Sequence, residues 1–239
     1  MNVYYIAGFP VIDKLHHADP MNENNNAFIS KYLKNNRNRN MIIKKGSVAQ
    51  RISSVPYEYN VGPAFVSFDP IDHMRYAIDS TSDDSQVGGK GSGQVYSLDM
   101  EVVQDLVCPS YEQSMNAFVE TVKNVGLDEV SKSVEKQYGG KYTAEQFVED
   151  FKEFEIKESR DSAYVGFIST LIGDEKNRIE FFNALKKRGY NAIVDEYDVN
   201  FDNGSALIVF ERDKNLKLKS VKKLSANDLA RMAKKIAAE

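Results

Sequence analysis

Apolar residues change their spacing twice along this chain, and those changes mark out the expected elements. Val3 to Ala7 is a short apolar run that predicts an opening strand, ended by Gly8 and Pro10. Residues 13–26 are polar and asparagine-rich and predict a loop; Ala27, Phe28, Ile29, Tyr32 and Leu33 then recur at helical spacing before a polar break over 35–40. Met41 to Ile43 reads as a strand running into a turn at Lys45, Gly46 and Ser47. Ala64 to Phe68 reads as another, stopped by Asp69 and Pro70, with a helical segment over 71–78. A Ser-, Asp- and Gly-rich loop is expected over 79–93, and Gln94 to Val103 alternates well enough to predict a long strand. Cys108 and Pro109 fall beyond its end.

From about 110 to 188 the period becomes helical. Met115, Phe118, Val119, Val122 and Val125 share one face; Phe147, Phe151 and Phe154 follow a capping box at Thr143 and Gln146; Asp174 is placed to cap a helix carrying Ile179, Phe182 and Leu185. Helical spacing makes these aromatic stripes packing surfaces rather than ligand boxes. Lys186, Lys187 and Arg188 before Gly189 have the chemistry of a helix C-terminus, with cations beside the last carbonyls and a glycine free to turn left-handed. Three strands are then expected within about 30 residues: Ala192 to Val194, Leu207 to Phe210, and the half-exposed alternation of Leu216, Leu218 and Ser220 with lysines. An acidic stretch (Asp195, Glu196, Asp198, Asp202) lies between the first two. Ser225 and Asp228 open a last helix, 225–239, whose Leu229, Met232, Ala233 and Ile236 form one stripe. That stripe must meet its own core or a partner, and the lysines at 222 and 223, read as a solvated hinge, favour a neighbouring subunit.

Length and composition narrow the class. The chain has 239 residues, 42% of them hydrophobic, enough for one sizeable core with an elaboration. A net charge of −4 gives no general drive toward nucleic acid or anionic lipid, so neither is an expected partner, although local basic patches are compatible with 31 Lys and Arg. A single cysteine, Cys108, excludes an intrachain disulfide and a cysteine zinc cluster. No apolar run approaches a membrane span, and the start of the chain lacks the pattern of a signal peptide.

Several motif-like stretches fail on spacing. Gly88 to Gly93 has a phosphate-loop composition without its spacing. Asp198 to Asp202 begins like a calcium loop, but the turn glycine is one place late and Val209 stands where the closing glutamate belongs, which excludes full EF-hand geometry and leaves weak cation binding open. His16 and His17 are adjacent rather than helically spaced and His73 is alone, so no metal is expected.

The order of segments carries a resemblance. The strand ending in Lys45, Gly46 and Ser47, the strand with Ser67, the strand over 94–103 and the closing Ala206–Phe210 strand together resemble the ADP-ribosyltransferase fold. Gly189 to Asp198, followed by Ala206–Phe210 and Leu216–Val221, is similar to the end of the ADP-ribosyltransferase-like modules of bacteriophage head proteins. The resemblance covers roughly 40–105 and 175–222. It implies an α+β fold: one ADP-ribosyltransferase-like domain over 1–224 with a split, mostly antiparallel sheet, a helical insertion over 110–188 and a C-terminal helix.

Position by position, the same resemblance puts Lys45 at the arginine place that binds NAD phosphates and Ser67 at the serine place. The catalytic glutamate's place falls at or near Ala206, which has no carboxylate. Ser80, Thr81 and Ser82 spell the serine motif literally but outside a strand. Glu196 and Asp202 are the carboxylates that could replace the glutamate from the loop. The implied function is a non-catalytic virion component of the head or head-tail region, in the particle or the infected host's cytoplasm, needing no cofactor and contacting other virion proteins or itself. The alternatives are an NAD-dependent ADP-ribosyltransferase acting on host protein, and a protein-interaction domain without phage origin.

Overall fold

The structure, a computed structural model, describes residues 3–6, 9–12, 40–53, 62–68, 73, 74, 77, 78, 94–155, 171, 174–194 and 206–237. In chain order its strands are β1 (Val3–Ile6), β2 (Phe9–Ile12), β3 (Met41–Ile43), β4 (Val48–Ser53), β5 (Ala64–Ser67), β6 (Tyr96–Val102) and β7 (Leu106–Cys108). Helices α1 (Tyr111–Val125), α2 (Leu127–Gln137), α3 (Ala144–Glu155) and α4 (Glu175–Lys187) follow. The chain closes with β8 (Ala192–Val194), β9 (Ala206–Val209), α5 (Arg212–Asn215), β10 (Leu216–Lys223) and α6 (Ala226–Ile236). The fold is α+β with a mostly antiparallel sheet. Two compact units divide the chain: the first holds Met1–Asp13, Ile42–Val107 and Asn191–Glu239, the second Lys14–Met41 and Cys108–Tyr190.

The first unit is built on a six-stranded sheet in the order β10-β6-β4-β5-β9-β8, every adjacent pair antiparallel. Its middle strand β4 is absent from the hydrophobic pattern. Val-Ala-Gln-Arg-Ile-Ser offers little apolar alternation, yet Ala49, Arg51 and Ser53 are the buried side and Arg51 is 5% exposed. Tertiary context made the strand where local pattern did not. On β6 the alternation does hold, with Leu98, Met100 and Val102 buried and Ser97, Asp99 and Glu101 on the reverse face. The opening strand ends at Ile6, before Gly8 and Pro10 as expected, and an unexpected second strand, β2, pairs back on it with Pro10 opposite Tyr5. In a two-stranded ladder every strand has an unladdered side, so a residue lacking an N–H is accommodated.

The three C-terminal strands are not neighbours. β8 and β9 form one edge, while β10 lies at the other, beyond β5, β4 and β6. Four strand spacings come to about 19 Å in a flat sheet. The link from Phe210 to Leu216 is short and contains a helical turn, so the sheet curls to bring its edges together. Asn191 and Asn215 make that approach concrete. Asn191 Oδ1 accepts from the Val107 amide (2.7 Å), and its Nδ2 donates to the Asp105 carbonyl (3.0 Å) and to Asn215 Oδ1 (2.9 Å). Asn215 Oδ1 also accepts from Gln104 Nε2, and the Asn215 carbonyl accepts from the Val103 amide.

β10 continues through Lys222 and Lys223, paired with Ser97 and Tyr96, after a bulge between Leu218 and Ser220; the expected hinge there is strand. α6 opens with the expected box: the Asp228 amide donates to Ser225 Oγ, and the Ser225 amide donates to Asp228 Oδ2. Its Leu229 and Met232 pack with Ile52 against Ala77, Val95 and Leu224 of the same unit, whereas Ala233 is exposed and Ile236 half-buried. The inner part of the stripe therefore belongs to the helix's own unit. His73, Met74, Ala77 and Ile78 are helical as expected. Residues 13–34, 79–93, 156–170 and the acidic connection, where a loop, a helix, a second loop, helical spacing and the carboxylates were expected, lie outside the described residues.

In the second unit α1 packs on α4 and α2 on α3. Met115, Phe118, Val122, Phe147, Phe151, Phe181 and Leu185 are buried, and Phe147 stacks on Phe151 with centroids 6.2 Å apart. Thr143 and Gln146 exchange the two bonds of a capping box, and Asp174 Oδ1 accepts from the Asn177 amide. The stripe on α4 is rotated from expectation: Ile179 is 49% exposed, and Phe181 is buried in its stead. Gly189 follows the helix at φ +88°, the left-handed turn that its position predicted.

Candidate functional site

Cross-strand register gathers the polar residues of the first unit's sheet into one row. Ser67 on β5 is opposite Ala206 on β9 and opposite Gln50 on β4; Gln50 is opposite Asp99 on β6; Asp99 is opposite Ser220 on β10. Directly opposed residues of an antiparallel pair share a face, so Ala206, Ser67, Gln50, Asp99 and Ser220 occupy successive places across five strands. Two side chains converge on the one charge in the row. Gln50 Nε2 donates to Asp99 Oδ1 at 3.2 Å and Ser220 Oγ donates to Asp99 Oδ2 at 2.6 Å. Ser67 is 2% exposed, Gln50 and Asp99 are partly buried, and Ser220 at the edge strand is open to solvent.

One step along β6 on the same face, Ser97 Oγ lies 2.8 Å from Nε2 of His73. His73 is 4% exposed, and burial pulls its pKa down from the usual value to about 4, only partly opposed by the attraction of Asp99. At neutral pH the imidazole is uncharged. The row thus offers hydroxyl, amide and carboxylate groups and no cation.

The residues expected from the resemblance are placed as follows. Ser67 is in the row, and the Ala206 place stands directly beside it across the β5–β9 ladder. Lys45 is not level with them. It lies in the β3–β4 turn, five residues before Gln50 and outside β4, which begins at Val48. There its amide donates to Asp105 Oδ1 while Lys44 Nζ pairs with Asp105 Oδ2 at 2.8 Å, which holds the Asp105 carboxyl below its ordinary range. The arginine nearest the row in sequence, Arg51, is opposite Leu98 and faces the other side of the sheet. Glu196 and Asp202 lie outside the described residues. The ends of their connection do not: Val194 is opposite Leu207, and Ala206 is the residue opposite Ser67. The segment carrying both carboxylates therefore leaves and re-enters the sheet at the Ser67 end of the row.

Gln50, Asp99, Ser220 and the His73–Ser97 pair were not singled out from sequence. The alternation of Ser97, Asp99 and Glu101 with three apolar residues was the available signal; pairing with Gln50 and Ser220 needs a register that sequence does not supply. Cys108 is fully buried and its thiol is pushed up to about 12 by burial, which fits a small apolar core residue and not a nucleophile. Among the described residues no group of three or more His, Cys, Asp or Glu is arranged to hold a metal ion, and no helix is long and apolar enough to cross a membrane. Comparison with protein-family models, curated proteins and solved structures finds no match for this chain.

Proposed function

We propose that this chain is a non-catalytic assembly component of a phage particle, of the head or head-tail region, built on a degenerate ADP-ribosyltransferase-like sheet. The observation that carries the reading is the register at Ser67. Its neighbour across β9 is Ala206 and its neighbour across β4 is Gln50, so serine stands between two uncharged positions. Transfer of ADP-ribose passes through a transition state with cationic character at the ribose, stabilised by a fixed carboxylate. Losing one such preorganised group lowers turnover about 10²–10³-fold. Of the described cations, Lys45, at the arginine place, lies in the β3–β4 turn and not on β4, and Arg51 faces the other side of the sheet.

The test is calorimetric titration of NAD into the full chain, together with transfer of labelled ADP-ribose to host-lysate proteins. No heat of binding and no transfer are expected, while the chain co-purifies with particles of its source phage. One observation favours a second reading, an active transferase: the connection that carries Glu196 and Asp202 re-enters the sheet beside Ser67. Transfer that disappears on Glu196→Gln or Asp202→Asn would replace the first reading with this one.

A further inference from the structure

Charge is distributed very unevenly along this chain. Residues 214–237 hold eight Lys or Arg against one Asp, +7 in a protein of net −4, so the other 215 residues carry −11. The overall sign argued against a polyanionic partner; the local distribution argues the other way. The structure lines these cations along the β10 edge of the sheet and the helix that follows it: Lys217 and Lys222 stand on the Asp99 face, opposite Glu101 and Ser97, and Lys223 stands on the reverse face. β10 is the outer strand of the sheet and Lys217, Lys219, Lys222 and Lys223 are exposed along it. α6 follows at once and exposes Arg231, Lys234 and Lys235. Strand and helix are tied at one carboxylate: Lys222 Nζ (2.6 Å) and Arg231 Nη2 (2.5 Å) both bond Asp228 Oδ1. Two cations, 57% and 73% exposed, are thus fixed side by side against one negative charge, with a net positive charge facing solvent.

We propose that the β10–α6 surface binds the phosphate backbone of nucleic acid without regard to sequence. The composition of the surface separates this from a protein-docking reading. Protein interfaces are depleted in lysine and anchored by aromatic and other large apolar groups. Here six of the seven exposed cations named are lysines, residues 214–237 contain no aromatic residue, and Val221 is the only exposed large apolar side chain described there. Non-specific binding to a phosphate backbone is supplied by such charges alone, through release of condensed counterions. The lack of aromatics removes base stacking, and with it the usual preference for splayed single strands. Lysines also protect an edge strand from pairing with other strands, but that role does not call for the further cations on α6.

The surface adjoins the row only at Ser220, the end remote from Ser67, so phosphate binding and NAD turnover are read out separately. The experiment measures fluorescence anisotropy of a short mixed-sequence DNA duplex, and of its separated strand, titrated with the full chain over a range of salt. With about five phosphates neutralised, log Kobs should fall with log salt at a slope of about −4.5, an affinity loss of about 500-fold between about 50 and about 200 mM. Combining Lys219→Glu, Lys223→Glu, Lys234→Glu and Lys235→Glu leaves the Asp228 bonds intact and should weaken duplex binding at least about 30-fold with a flatter slope. Lys132→Glu with Lys152→Glu, exposed positions on α2 and α3, should leave it unchanged. No binding at low salt, equal binding by the four-site variant, or a salt-independent affinity would overturn the proposal. Self-association that is lost in the four-site variant, with no DNA binding by either protein, would overturn it in favour of a second copy as the occupant. Tighter binding of the single strand would refute the backbone-only mechanism.

Discussion

Asn191 is where the curl of the sheet can be tested by removing a few atoms. Asn191→Ala deletes three hydrogen bonds: the acceptor of the Val107 amide and the donors to the Asp105 carbonyl and to Asn215 Oδ1. Each such bond is worth about 0.5–1.5 kcal/mol net, and a group left buried without a partner costs more. Two features of the site limit the loss. Asn191 is only partly buried, so water replaces some of what is removed, and Asn215 Oδ1 keeps its bond from Gln104. The expected destabilisation is about 2–3 kcal/mol, or about 4–12 °C in melting temperature for a chain of this length. The local readout is hydrogen exchange at the Val107 amide, which should speed up with the loss of its acceptor. Asn191→Asp is the sharper variant, because it keeps shape and the acceptor. It turns a carboxylate oxygen toward the Asp105 carbonyl and Asn215 Oδ1, so acceptor meets acceptor, and it should be at least as damaging as alanine at neutral pH. An aspartate variant as stable as the parent, or an alanine variant with unchanged Val107 exchange, would refute the claim that Asn191 joins the two edges.

Two further expectations concern titration and packing. His73 titrates at about 4 when folded and near 6.5 when unfolded, so between those values the unfolded chain binds more protons and stability falls as pH is lowered through that window, by about 3 kcal/mol in all; a Tm–pH profile should be flatter for His73→Gln, and an identical profile would remove His73 as the cause. On α4, Phe181→Ala should cost about 3–5 kcal/mol in a urea melt while Ile179→Ser stays within about 0.5 kcal/mol; a large loss at Ile179 would restore the stripe as the sequence pattern drew it.

Residue chemistry acting over a few positions was enough to specify much of this protein. Caps at Thr143, Asp174 and Ser225, the left-handed turn at Gly189, the apolar faces of α1 and α3, and the runs that became β5, β8 and β9 are all local, because a cap or a repeat acts within one or two turns of chain. The misplaced stripe on α4 shows the limit of that logic. Ile179 and Phe181 both stand near the apolar arc of one helix, and only the partner helix α1 decides which is buried. β4 was invisible for a related reason: a strand paired on both sides draws its stability from the strands that flank it, so Gln50 and Arg51 sit in the middle of a sheet without an apolar pattern of their own. Register lies wholly beyond the local signal. Sequence could name Ser67 and Ala206, but that they stand opposite one another, that Gln50 takes the place on the other side of Ser67, and that β10 crosses to the far edge beside β6, follow from long-range pairing. Those contacts join residues separated by tens to more than a hundred positions, and no neighbour in sequence carries a trace of them.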